Sequence, residues 1–107
     1  MQLLTVELRA QLPKRYAQEH AEEKIVYAKF FTPWTNWTWY VLEGEPEEDD
    51  FIFFGYVMGF EEEWGYFSLN ELQAARGPGG LTIERDLFFE PTPFHKLKTK
   101  WNKNGEE

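Results

Sequence analysis

The chain has 107 residues, 42% of them apolar and 19% aromatic, with no cysteine and a formal net charge of −8, which is the size and composition of one domain with ample material for a packed core. Without cysteine it has no disulfide framework, thiolate zinc site or thiol nucleophile, so burial must hold it together, a situation suited to a reducing cytoplasm. The first residues lack the basic start and apolar run of an export signal, and no stretch approaches the roughly 18 apolar residues of a membrane span, so the expectation is a cytoplasmic protein.

Thr5 reads as a helix N-cap, with Glu7 in the first turn and Leu4, Leu8 and Leu12 at helical spacing before Pro13 interrupts the pattern. Pro13 is placed to open a second helical piece through Arg15, Tyr16 and Gln18 toward the charged connection His20 to Lys24. Three β-branched and aromatic runs follow, at 25–31, 37–43 and 51–60, bounded by Pro33, by Gly44 with Pro46, and by Gly59. Gly44 to Asp50 reads as a polar hairpin loop, and Glu61 to Gly65 as a second loop leading into a short strand at Tyr66 and Phe67. Ser68 with Glu71 forms a capping box that opens another helix, Leu69 and Leu72 facing inward, stopped by Gly77-Pro78-Gly79-Gly80. Residues 81–89 predict a turn and an edge strand, and Pro91 and Pro93 end regular structure. Lys96, Lys98, Lys100 and Lys103 then make 95–107 a basic tail, either mobile or lying against the acidic middle. The whole is one α+β domain over residues 1–107, an antiparallel sheet of about four strands with two or three short helices.

Charge is unevenly spread. Residues 30–75 carry ten carboxylates and no Lys or Arg, while each flank sums to +1, and the same segment holds fourteen of the twenty aromatic residues. Over a Debye length of about 8 to 10 Å such a field repels phosphate backbones and attracts basic protein surfaces; its plain role is solubility. The strands are apolar at both parities, Trp37, Trp39 and Val41 alternating with Tyr40 and Leu42, and Phe51 and Phe53 with Ile52, Phe54 and Tyr56. A sheet wet on one face would alternate apolar with polar. Two short helices cover one face and leave the other to the termini, a second copy or a partner. Exposed Trp and Tyr beside carboxylates compose a protein-binding patch. The candidate contacts are the acidic Glu45, Glu47, Glu48, Asp49, Asp50, Glu61, Glu62 and Glu63 and the aromatic Trp34, Trp37, Trp39 and Trp64.

Catalytic patterns are weak by comparison. His20 and His95 are the only imidazoles and lack metal-ligand spacing. Glu84, Asp86 and Glu90 enclose Arg85, which suits a structural ion pair as well as acid and base work. The Gly77 to Gly80 segment follows a helix and lacks the Lys and Ser/Thr of a phosphate loop. The acidic run lacks the alternating ligands and central Gly of an EF-hand. The expectation is a protein without catalytic residues, metal or cofactor.

Three long motifs, Lys29 to Tyr40 (KFFTPWTNWTWY), Gly65 to Leu72 (GYFSLNEL) and Ile83 to Pro93 (IERDLFFEPTP), resemble a bacterial family known only as domain of unknown function 2958, over nearly the whole chain. The resemblance implies a setting on plasmids, integrative elements and phages, near genes that antagonise host defence, and it implies no catalytic residues. The preferred expectation is therefore an inhibitor of the anti-CRISPR or anti-restriction type, placing Glu45 to Asp50 and Glu61 to Glu63 as phosphate surrogates on a basic, nucleic-acid-binding surface of a host protein. The alternative is a nucleic-acid-handling module stacking single-stranded bases on Trp34, Trp37 and Trp39, with Lys96 to Lys103 on the phosphates. A homodimer that buries the second sheet face is compatible with either.

Overall fold

A computed structural model describes residues 1–105, with side chains described as far as Thr99. The aromatic middle forms a long hairpin of β3 (Thr38–Glu47) and β4 (Asp50–Met58), extended on one side by β5 (Glu62–Ser68). On the other side β2 (Ala28–Phe31) pairs with β3, and β6 (Glu84–Arg85) with β2, giving an antiparallel sheet in the order β5-β4-β3-β2-β6. A second, two-stranded sheet joins β1 (Ile25–Val26) to β7 (Thr92–Pro93). The helices are α1 (Val6–Gln11), α2 (Leu69–Ala74) and α3 (Phe94–Gly105). The fold is α+β, as the sequence predicts.

Where local signals suffice, the elements sit where they are expected. Thr5 caps α1, its Oγ1 accepting from Leu8 N at 3.1 Å, and Ser68 caps α2, its hydroxyl accepting from Glu71 N at 3.1 Å. Helix α2 ends at Ala74, before the glycines, and Pro78–Gly80 forms a separate 3-10 turn. The edge strand expected within 81–89 is β6.

Four expectations need correction. Pro91 and Pro93 do not end regular structure, since Thr92 and Pro93 form β7 against β1 and Phe94 opens α3. The polar loop from Gly44 to Asp50 is mostly strand: Gly44, Glu45 and Pro46 pair with Phe53, Ile52 and Phe51, leaving only Glu48 and Asp49 between the strands. Glu62 to Gly65 is likewise strand, paired with Met58 back to Gly55, because ladder pairing with β4 outweighs the low strand propensity of Glu and Gly. The helical piece expected after Pro13 is a chain of turns through which Tyr16 takes a left-handed φ of 72°.

Helices α1 and α2 cover one face of the sheet. Leu3, Leu8 and Leu12 pack with Phe30, Trp39, Val41, Phe51, Phe53, Leu72 and Ile83. On the other face Val26, Tyr40, Leu42 and Tyr56 are buried beneath Phe89, Phe94 and Leu97, so the residues after Pro91 supply part of the second cover. Cover on both faces explains the apolar residues at both parities; at Leu42 a bulge interrupts the ladder, Val41 pairing with Gly55 and Glu43 with Phe54, leaving Leu42 as an extra residue buried in the second cluster. Where β3 and β4 cross most closely only glycine fits, since a Cβ on Gly55 would lie 1.8 Å from the Tyr40 carbonyl oxygen.

Candidate functional site

The second face is not covered everywhere. Toward β5 its floor is Phe54, stacked on Trp64 (centroids 5.9 Å apart, planes 12° apart) and tilted against Tyr66 at 5.0 Å. Period-two alternation along β5 puts Glu62, Trp64 and Tyr66 on this side, opposite Met58, Tyr56 and Phe54. Trp64 is 41% exposed and Tyr66 52% exposed. Behind Trp64 stand Tyr56 at 5.0 Å and Phe94 at 4.8 Å, so the indole is fixed from one side and open on the other.

The remaining wall comes from the turns after Pro13, and one buried carboxylate holds it. Glu43, only 4% exposed, accepts from Tyr16 N and from Gln18 N, both at 2.8 Å. Charge-assisted bonds of this kind are strong enough to fix a loop that has no other regular structure. The Gln18 side chain then donates to the Leu42 and Ile25 carbonyls and accepts from Ile25 N, tying the wrap to β3 and β1. The Lys24 ammonium donates to the carbonyls of Gln18, Glu19 and Ala21, which satisfies the end of the wrap. The result brings the exposed Tyr16 ring to Tyr66, and the hydrogen bond between the two phenols is the main cause that raises the Tyr66 pKa above its ordinary value. Arg15 lies 5.4 Å over the Tyr66 ring. Tyr16, Phe54, Trp64 and Tyr66, with Glu19, Lys24 and Glu43, enclose a largely apolar pocket of about 320 Å³.

Around it the charge is mostly negative. Glu61, Glu62 and Glu63 are exposed, and among the described residues none of them pairs with Lys or Arg. Glu62 accepts from the Tyr56 hydroxyl at 3.0 Å, which adds to burial in pushing the Tyr56 pKa up. Glu23 meets His95 Nδ1 at 2.6 Å on the neighbouring rim. Of Glu61, Glu62 and Glu63, Glu62 shares the Trp64 and Tyr66 side of β5, and exposed aromatic rings attract a cation at about 0.5–1 kcal/mol per contact and about 2 when desolvated.

The eight acidic candidates do not form one face. Strand β4 has nine residues, and at roughly 3.3 Å per residue its two ends lie some 26 Å apart, several Debye lengths. Glu61, Glu62 and Glu63 sit at one end and the hairpin tip at the other. At the tip Glu45 and Glu47 are each 3.6 Å from Arg15. Asp50 accepts from Ser68 Oγ, from Asn70 N at 3.0 Å and from Phe51 N at 2.7 Å, and these bonds, the Ser68 hydroxyl first, hold its pKa below the usual carboxylate value. Asp50 therefore anchors the start of α2. Glu48 and Asp49 remain exposed.

The four tryptophans also separate. Trp39 is 8% exposed and belongs to the core. Trp34 lies on Gly77 and Trp37 on Gly59, each against a backbone bare of a side chain, and Trp37 also packs edge-on against Phe60 at 5.4 Å. Trp64 is the exposed one of these four, so the row of exposed Trp34, Trp37 and Trp39 is corrected: Trp39 is core, and Trp34 and Trp37 are half-buried against it. Trp37 does line a second groove of about 530 Å³ with Phe88, Lys29 and Arg85, where Glu84 and Asp86 match the two cations. Of the basic tail, Lys96 and Lys98 are exposed on α3, whereas the side chains of Lys100 and Lys103 lie outside the described residues.

The sequence reading missed Tyr16, Glu43, Phe54 and Tyr66. The period-two set Glu62, Trp64 and Tyr66 would have flagged two walls had β5 been extended backward; nothing local announces the wrap around Glu43. Among the described residues no group of three or more His, Asp or Glu is arranged to hold a metal ion, and no helix is long and apolar enough to cross a membrane. No curated protein and no solved structure matches the chain. The family model described as Protein of unknown function (DUF2958) matches residues 3–104, and the chain belongs to that family.

Proposed function

We propose that this chain is a non-catalytic binding protein whose contact surface is the outer side of β5, and whose partner is a basic surface of another protein. The observation that carries this reading is the juxtaposition of an open aromatic pocket, walled by Tyr16, Trp64 and Tyr66, with the exposed carboxylates Glu61, Glu62 and Glu63 at the start of the same strand. Aromatic anchors supply burial, and the carboxylates supply encounter rate and selectivity. In the mobile-element setting that the family resemblance implies, the partner to test first is a nucleic-acid-binding defence protein of the host, with Glu61 to Glu63 taking the place of phosphates and the chain acting as its inhibitor.

The test is capture from host lysate at low salt, with and without nuclease, using the wild type, Trp64→Ala, and the triple reversal Glu61→Lys, Glu62→Lys and Glu63→Lys. The charge reversals lie at exposed positions and cost little stability, whereas Trp64→Ala also removes packing against Phe54, Tyr56 and Phe94, so thermal melting of each variant accompanies the capture and only lost capture by a folded variant reports on the surface. Retention of a basic nucleic-acid-binding protein that survives nuclease and disappears in both variants is the expected result. Capture that requires intact nucleic acid overturns it in favour of direct single-strand binding.

A further inference from the structure

We propose that the partner docks by adding a strand: an extended basic segment pairs with the free edge of β5 and seats one Arg or Lys side chain between Trp64 and Tyr66. This rests on the reading of β5 as the contact surface and specifies how it is used.

The two edges of the sheet differ. Strand β6 at one edge has two residues, whereas β5 at the other has seven, Glu62–Ser68. One side of β5 is paired with β4 along its whole length. Among the described residues, no further backbone hydrogen bond reaches Glu62–Ser68, so the other side presents unpaired N–H and C=O groups. Such a row is a template for another strand unless something blocks it. A Cβ built on Gly65 in the middle of β5 meets no atom within 4 Å, so that face of the strand is open at its centre.

What guards the edge is charge, and charge also selects the occupant. Glu61, Glu62 and Glu63 repel a second copy of this chain, which would bring the same three carboxylates, and favour a cationic strand. Guarding alone accounts for the carboxylates but not for an exposed indole and phenol on the same strand. Because Glu62, Trp64 and Tyr66 follow one another at alternate positions, about 6.6 Å apart, an incoming strand with cations at every second residue meets a carboxylate, an indole and a phenol in turn. The pocket behind Trp64 and Tyr66 accepts an aliphatic stem with its charge at the rim.

The test uses the intact protein and an acetylated, amidated octapeptide alternating Arg and Val, with two isomers N-methylated on all four Val or on all four Arg. All three carry the same charges and side chains, but each methylation removes the hydrogen bonds of one strand edge. If the segment adds to β5 with Arg facing Trp64, the parent and one isomer bind alike and the other binds at least tenfold more weakly. Amide exchange of Glu62–Ser68 slows with the binding peptides, and Trp64→Ala weakens the parent about fivefold. Equal binding by both isomers overturns strand addition, as does no binding of the parent at low salt. Host-protein capture that survives alongside equal isomer binding sinks only the docking mode. Capture that fails together with peptide binding sinks the function itself.

Discussion

The two ends of β4 carry the same residue types and put them to different uses. At the hairpin tip the carboxylates are engaged inwardly, Glu45 and Glu47 with Arg15 and Asp50 with Ser68, Asn70 and Phe51. At the β4–β5 end Glu61 and Glu63 are exposed, and Glu62, also exposed, accepts from the Tyr56 hydroxyl. The difference teaches that an acidic segment contiguous in sequence is not one electrostatic surface. A hairpin sends it to opposite ends of the sheet, and hydrogen-bond partners decide which end is free to act.

That contrast is sharpest at Glu43, the carboxylate between the two groups. Glu43→Ala leaves two backbone N–H groups without an acceptor in a buried position and unties the Tyr16 wrap. The expected cost is about 3 kcal/mol in urea unfolding, together with lost fluorescence contact between Trp64 and its pocket. A loss under about 1 kcal/mol would mean that the wrap does not depend on it.

Asp50→Asn comes next. The folded pKa of Asp50 lies below 3.8, so its contribution is present above that value and disappears as pH falls through the lower, folded pKa. The variant should melt below the wild type at pH 7, with the gap closing toward pH 2; a gap independent of pH would assign the loss to shape alone. The smallest effect has the opposite sign. Glu48 holds φ at 56°, a region costly for a residue with a Cβ, so Glu48→Gly should stabilise by about 0.5 kcal/mol, measurable as a raised Tm with binding unchanged.

The parts of the fold legible in the sequence are those set within one turn of chain. Thr5 and Ser68 cap their helices through bonds three residues long, and their residue types say so. The misread parts depend on distant partners. Gly44, Glu45 and Pro46 are strand because Phe53, Ile52 and Phe51 lie opposite, and Glu62 to Gly65 are strand because β4 is there first. The candidate site divides in the same way. Trp64 and Glu61 to Glu63 were readable as exposed aromatic and charge, whereas Trp34, Trp37 and Trp39 went to packing that only the positions of Gly77, Gly59 and the core reveal. Tyr16 joined the site through a carboxylate twenty-seven residues away.

The bulge at Leu42 has a bearing on how the hairpin finds its alignment while folding. Were the ladder to run on from Val41 and Gly55 without the extra residue, Leu42 would stand opposite Phe54 and Glu43 opposite Phe53, turned toward the helix-covered core where Leu12 packs. There the carboxylate would be stranded among hydrocarbon, far from the Tyr16 and Gln18 amides that receive it natively, at a cost of several kcal/mol. The nearest misaligned hairpin is thus self-penalising, and the residue that shapes the pocket in the finished protein also proofreads the pairing that builds it.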